Sequence, residues 1–174
     1  MILKRFPEDF VVEEIPRVKE SKNGKFSIYL LTKKSIDTLG AVSIIKRKLS
    51  LNDTDIGVAG LKDKHALTKQ CISINSRAGK NLNLEERSFS LKFLFYSNGG
   101  IRIGLLDGNK FEITVRQIRD TYIKKINERV KLLQFGIPNY YGEQRFGSYS
   151  SKKGFIGKSL ILENYEESLR IYFT

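Results

Sequence analysis

Metal-binding and sulfur chemistry have little to work with in this chain. Among 174 residues there is one cysteine, Cys71, and one histidine, His65. A single cysteine allows no internal disulfide and no cysteine-rich metal site, and one His plus one Cys cannot complete a zinc tetrad. The carboxylates lack the spacing of a calcium loop. Neither a Walker pattern nor GxGxxG occurs, so no glycine-rich phosphate loop is expected. A Ser–His–Asp arrangement would have to use His65, two residues from Asp63, and that spacing does not by itself provide the geometry. Prolines number only three, and no tract is of low complexity. No apolar run approaches the roughly 18–20 residues of a membrane-spanning helix. The opening "MILKRFPEDF" has no signal-peptide stretch. A cytoplasmic protein without metal or cofactor is the expectation.

Acidic residues are also outnumbered. There are 19 against 31 basic ones, a formal net charge of +12. An excess of that size favours an anionic partner, most commonly nucleic acid. A membrane surface would instead call for a basic amphipathic helix or a polybasic cluster beside an anchor. Here Lys and Arg are spread over the whole length, so no membrane partner is expected.

Periodicity outlines the elements. "FVVEE" (10–14) reads as a strand, and "GKFSIYLLT" (24–32) as a second one with Phe26, Ile28 and Leu30 on one face. "NG" at 23–24 joins them as an expected hairpin. Ser35 or Asp37 can cap a helix through Leu39, Val42, Ile45 and Leu49, whose last turn carries Lys46, Arg47 and Lys48. "QCISIN" (70–75) is a strand. "SFSLKFLFY" (88–96), "IRIGLL" and "KFEITVRQI", separated by turns at "NGG" and "DGN", predict a three-stranded meander. Tyr122, Ile126, Val130 and Leu133 mark a helix over 120–134, and a third short helix is expected through "YEESLRIYF". The fold class is therefore α+β: a mainly antiparallel mixed sheet with helices on one face.

Four stretches carry possible chemistry. In "AGLKDKHALTKQ" (59–70), Lys62 and Lys64 flank Asp63. Neighbouring cations favour an ionised carboxylate, suited to a nucleophile or base, although "GLKDK" taken alone reads as a solvated turn. In "NYYGEQRFG", the tyrosines with Gln144, Arg145 and Phe146 fit an RNA-stacking loop or an aromatic-plugged corner equally well. Asn109 and Phe111 after a turn, and Lys4 near the start, have ordinary structural readings.

Taken together, "KRFPEDFVVEE" (4–14), "AGLKDKHALTKQ" (59–70), "GNKFEITVR" (108–116) and "PNYYGEQRFG" (138–147) resemble, in order and spacing, the TruD family of pseudouridine synthases. The resemblance spans Lys4 to about Gly147. It implies conversion of uridine to pseudouridine in RNA, usually tRNA at uridine 13 of the D arm, without cofactor or metal. By motif position Asp63 corresponds to the catalytic aspartate, and Lys4 to the basic partner that orients it and holds it ionised. Phe111 corresponds to the aromatic that stacks on the target base, and Asn109 to a pocket residue. Gln144, Arg145 and Phe146 correspond to a loop near the active site. Flipping of the target nucleotide to a buried aspartate is implied. Lys62, Lys64, Lys69 and Arg47 are candidate phosphate contacts. For His65 a structural hydrogen bond is expected.

Family members are longer than this chain. The expectation is one catalytic domain over 1–174, incomplete, with 155–174 leading into an inserted domain. Missing later strands would expose the Phe89/Leu91/Phe93/Phe95 stripe or an unpaired sheet edge. Self-association or a complementing chain would cover it. The alternative to an active enzyme is a non-catalytic RNA-binding fragment, or half of a split enzyme.

Overall fold

Residues 1–75, 82–136 and 156–173 are described in a computed structural model. Contacts divide the chain into two units, Met1–Arg119 and Asp120–Thr174.

In the first unit the period-2 segments become strands: β1 (Phe10–Pro16), β2 (Phe26–Lys34), β3 (Ile56–Val58), β4 (Leu67–Asn75), β5 (Leu84–Glu85), β6 (Phe89–Ser97) and β7 (Leu106–Ile113). Among the described residues they form one sheet in the order β5-β6-β2-β4-β1-β7, with β3 also pairing β4. The β1–β4 pair is parallel and the other pairs are antiparallel. One helix of this unit, α1 (Thr38–Leu49), packs on one face. The class is α+β, as the periodicity indicates.

Pairing differs from the local expectation in two places. β1 and β2 do not form a hairpin, because β4 lies between them and pairs with both. Nor do three strands meander after Phe89. "IRIGLL" is largely a turn, "DGN" lies within β7, and β7 crosses to the far edge beside β1. Turn residues mark where a chain can reverse, but strand partnership is set by which faces can be buried together.

The core lies between α1 and the sheet. Tyr29, Leu31, Ile72, Ile74, Phe89 and Leu91 meet Ala41 and Ile45 of the helix there, all buried. Burying each larger apolar side chain stabilises the fold by about 1.5–3 kcal/mol relative to exposure. Asp37 supplies the N-cap, its carboxylate accepting the Gly40 N–H at 2.8 Å. The helix buries Thr38, Ala41, Val42 and Ile45, whereas Leu39 is exposed. The Phe stripe is not left bare either. Phe89 and Leu91 are buried, and Phe93 packs against the same cluster. A register shift opposite Ile28/Tyr29 then sends Phe95 to the other face, where it joins Ile28, Cys71 and Ile101. The bulge therefore divides the stripe between two cores. What remains open is an edge: among the described residues β7 pairs along its length only with β1, and its Phe111 and Ile113 are exposed.

The second unit contains α2 (Asp120–Val130), a short 3-10 turn (Lys131–Phe135), α3 (Ile156–Ile161) and α4 (Tyr165–Phe173). Asn164 begins α4, its side-chain oxygen accepting the Glu167 N–H at 3.2 Å. The two periodic segments expected to be helical are helical.

Candidate active site

Asp63 lies on the loop between β3 and β4, on the side of the sheet that carries α1. Its carboxylate Oδ2 accepts a hydrogen bond from Lys4 Nζ at 2.9 Å, across 59 residues of sequence. The same ammonium stands 3.7 Å from the centre of the Phe10 ring. The Phe10 ring lies 6.0 Å from that of Phe111, tilted by 49°. Lys4, Asp63, Phe10 and Phe111 thus form a continuous group. The remaining carboxylate oxygen, Oδ1, has no hydrogen-bond partner among the described residues, so it is available to a ligand. Asp63 is not buried: its side chain is 46% exposed, and that of Lys4 40%. For a pair this exposed, the interaction contributes only about 0–1 kcal/mol to stability. Its value lies in orientation.

Placement of Lys4 depends on a clamp. Asp9, on the turn entering β1, accepts the single Arg116 Nε–H, shared between its Oδ1 and Oδ2 at 3.0 and 2.9 Å, and an Arg116 Nη2 hydrogen bond at 2.7 Å. Its Oδ2 also accepts the Phe6 N–H at 3.1 Å. Ile2 and Arg116 exchange main-chain hydrogen bonds at 2.8 and 2.9 Å. The segment before β1 is thereby tied to the end of β7. Lys4 within it has φ = 53°, in the left-handed region that side-chain-bearing residues seldom adopt. Strain of this kind persists where surrounding bonds enforce it.

Beneath Asp63 the loop rests on buried polar side chains. Lys33 Nζ donates to the main-chain oxygens of Ile36, Lys62 and Asp63 at 2.9, 3.2 and 2.8 Å. Thr38 Oγ1 accepts the Lys62 N–H at 3.0 Å and donates to Gln70 Oε1, while Gln70 Nε2 donates to the Gly60 oxygen. Glu14 accepts from Lys62 Nζ at 2.7 Å and from the Cys71 N–H at 3.2 Å. Burial holds the Lys33 ammonium below the usual lysine range, partly offset by the charges of Asp37 and Asp63. Burial, helped by Glu14, also raises the Cys71 thiol to about 11, so it is not a ready nucleophile.

The other candidate residues fall out as follows. Asn109 is exposed on β7, opposite Glu14 in register, and its side chain makes no hydrogen bond among the described residues. Phe111 pairs in register with Val12, and Val12 with Thr68, which places it on the Asp63 side of the sheet. Lys62 is not free to meet phosphate, because its side chain is 7% exposed and bound to Glu14. Lys69 lies on the face of β4 opposite Thr68 and Gln70, facing away from Asp63. Lys64 and Arg47 are exposed, whereas Lys46 and Lys48 are engaged by Asp53 and Glu86. His65 is exposed and makes no hydrogen bond among the described residues, contrary to the structural bond expected of it. Gln144, Arg145 and Phe146 lie outside the described residues.

Sequence reasoning missed Glu14 and Lys33. Their signal was parity: Val12–Glu14 and Tyr29–Leu31–Lys33 put charged groups at inward positions of strands, where they must find partners. Among the described residues, no three His, Cys, Asp or Glu side chains are grouped to hold a metal ion.

The family model for tRNA pseudouridine synthase D (TruD) matches residues 1–174. The chain belongs to the TruD family. It is 45% identical over all its 174 residues to tRNA pseudouridine synthase D 2 of Methanocaldococcus jannaschii, covering 40% of that protein. It is 38% identical over 183 aligned residues to tRNA pseudouridine synthase D of Aquifex aeolicus, with 99% of this chain and 46% of the relative covered. A crystal structure of a TruD from Methanosarcina mazei superposes with a TM-score of 0.78 at 36% identity, covering 98% of this chain and 40% of that one. The chain therefore spans less than half the length of these TruD relatives.

Proposed function

We propose that this chain carries the catalytic aspartate of a tRNA pseudouridine synthase, and isomerises uridine to pseudouridine on a flipped-out nucleotide. The observation that carries the reading is the Lys4–Asp63 contact of 2.9 Å beside the Phe10 and Phe111 rings. The relatives' names supply the reaction and the RNA class. The reaction breaks the bond from N1 to C1′ and forms one from C5 to C1′. The C5 proton is lost and N1 gains one, so atoms and electrons balance without a co-reactant. In this reading Lys4 holds Oδ2 and leaves Oδ1 toward the nucleotide. Phe111, 56% exposed, offers its face to the uracil, and Asn109 lines the pocket. Lys64 and Arg47 remain candidate phosphate contacts. Uridine 13 of the D arm is the proposed target. Gln144, Arg145 and Phe146 are proposed as the loop bordering the pocket.

The open edge of β7 supports a second element of the proposal. A second copy or a complementing chain pairs there, because an unpaired strand presents a row of free main-chain donors and acceptors.

The test is incubation with tRNA followed by carbodiimide labelling of pseudouridine. The parent is expected to give product and Asp63→Asn none. Lys4→Ala should lower turnover by at least tenfold with tRNA affinity nearly unchanged. RNA binding without product from the parent would leave a non-catalytic RNA-binding fragment, or half of a split enzyme.

A further inference from the structure

Lys33 is fully buried, and unlike the buried Lys62 side chain it is not paired with a carboxylate. An ammonium taken out of water is costly unless its protons are satisfied, and here all three are. None goes to a carboxylate. They go to the main-chain oxygens of Ile36, ahead of α1, and of Lys62 and Asp63. Thr68, the register neighbour of Lys33 on β4, has a buried hydroxyl with no hydrogen-bond partner among the described residues. Thus the ammonium is committed to the loop while a hydroxyl on the adjacent strand goes unsatisfied. A methionine would fill the same stem without any charge to desolvate, so simple core filling does not account for a lysine here.

Geometry gives the lysine a specific task. β2 is an interior strand, paired along its length by β4 on one side and β6 on the other. From that strand Lys33 reaches two consecutive carbonyls of the loop, one of them on Asp63 itself. Lys4 meets the Asp63 side chain, and Lys33 fixes its main chain. We propose that Lys33 is a positioning residue for this site, whose bonds to the Lys62 and Asp63 oxygens set where the Asp63 carboxylate stands relative to Lys4 and the nucleotide. The proposal rests on the reading of Asp63 as the reacting carboxylate. Misplacement of a reacting group by about 1 Å can cost on the order of 100-fold in rate.

The experiment compares the 174-residue chain with its Lys33→Met and Lys33→Gln variants by hydrogen–deuterium exchange and by turnover on tRNA. In Lys33→Met, amides of residues 60–66 are expected to exchange at least tenfold faster, with β2 and β6 unchanged. Turnover should fall about 100-fold, with tRNA affinity within threefold of the parent. Lys33→Gln, which keeps an N–H donor, should recover part of both, and it carries the same comparison if Lys33→Met does not fold. Unchanged loop exchange in a folded variant, or acceleration spread evenly over β2, β4 and β6, would overturn the proposal. So would turnover within threefold of the parent. A parent that makes no pseudouridine defeats the functional reading instead, and loop exchange still decides the role of Lys33.

Discussion

Single residues reach across long stretches of sequence to build this site, and Asp9 is the most connected of them. The Arg116 guanidinium beside it holds its carboxyl below the usual carboxylate range, and the Phe6 N–H adds to the effect. A depressed value in the folded state means that the pair stabilises the fold above the unfolded value of about 3.8, and that this share is lost as pH falls through the folded value. Urea midpoints measured from neutral pH into acid should therefore drop more steeply for the parent than for Asp9→Asn. Parallel acid limbs would show that the clamp carries no pH-dependent stability. The site was legible at this scale only in part. Asp63 and Lys4 stand in short, distinctive runs, and the structure brings them together. Glu14 and Lys33 sit in strands that read as ordinary apolar alternation, and only their inward parity marked them. Lys62 was misread because its charge was visible in sequence, whereas its partner 48 residues away was not.

At the scale of elements, the end of α1 shows how local chemistry shapes the core. Ser50 takes φ = 53° and closes the helix, while the Leu51 N–H bonds to the Lys46 oxygen at 2.9 Å. That conformation costs a residue with a side chain roughly 1–2 kcal/mol, and glycine adopts it freely. Ser50→Gly is accordingly expected to raise the unfolding free energy by about 0.5–1 kcal/mol, measured by urea titration. A loss of stability would mean that the Ser50 side chain contributes a contact worth more than the backbone relief. Helices and strands themselves were readable from spacing, since 3.6- and 2-residue periods follow from which side of an element is buried. Strand partnership was not. The "NG" and "DGN" signals predict hairpins, yet β4 separates β1 from β2 and β7 leaves β6 for the opposite edge. Period 2 says which face of a strand is inward and nothing about its neighbour.

At the scale of the molecule, two properties call for measurement. The net charge of +12 predicts tRNA binding that weakens with salt. If four phosphates are neutralised, a fourfold rise in salt should cost on the order of 100-fold in affinity. Salt-independent binding would remove the electrostatic account. The open edge of β7 predicts that sedimentation over a range of concentrations will show association, and a single monomeric species throughout would count against an edge-paired partner.

The placement of β1 has a consequence in time. This strand leaves the ribosome before any of its partners, yet it is flanked by β4 on one side and β7 on the other. Its entry turn is fastened by Arg116, 107 residues after Asp9. Strands β2, β4 and β6 can pair with one another while β1 waits. Lys4 can be locked in place only once β7 has been made, so the pair at the centre of the site is completed among the last contacts of its unit during synthesis.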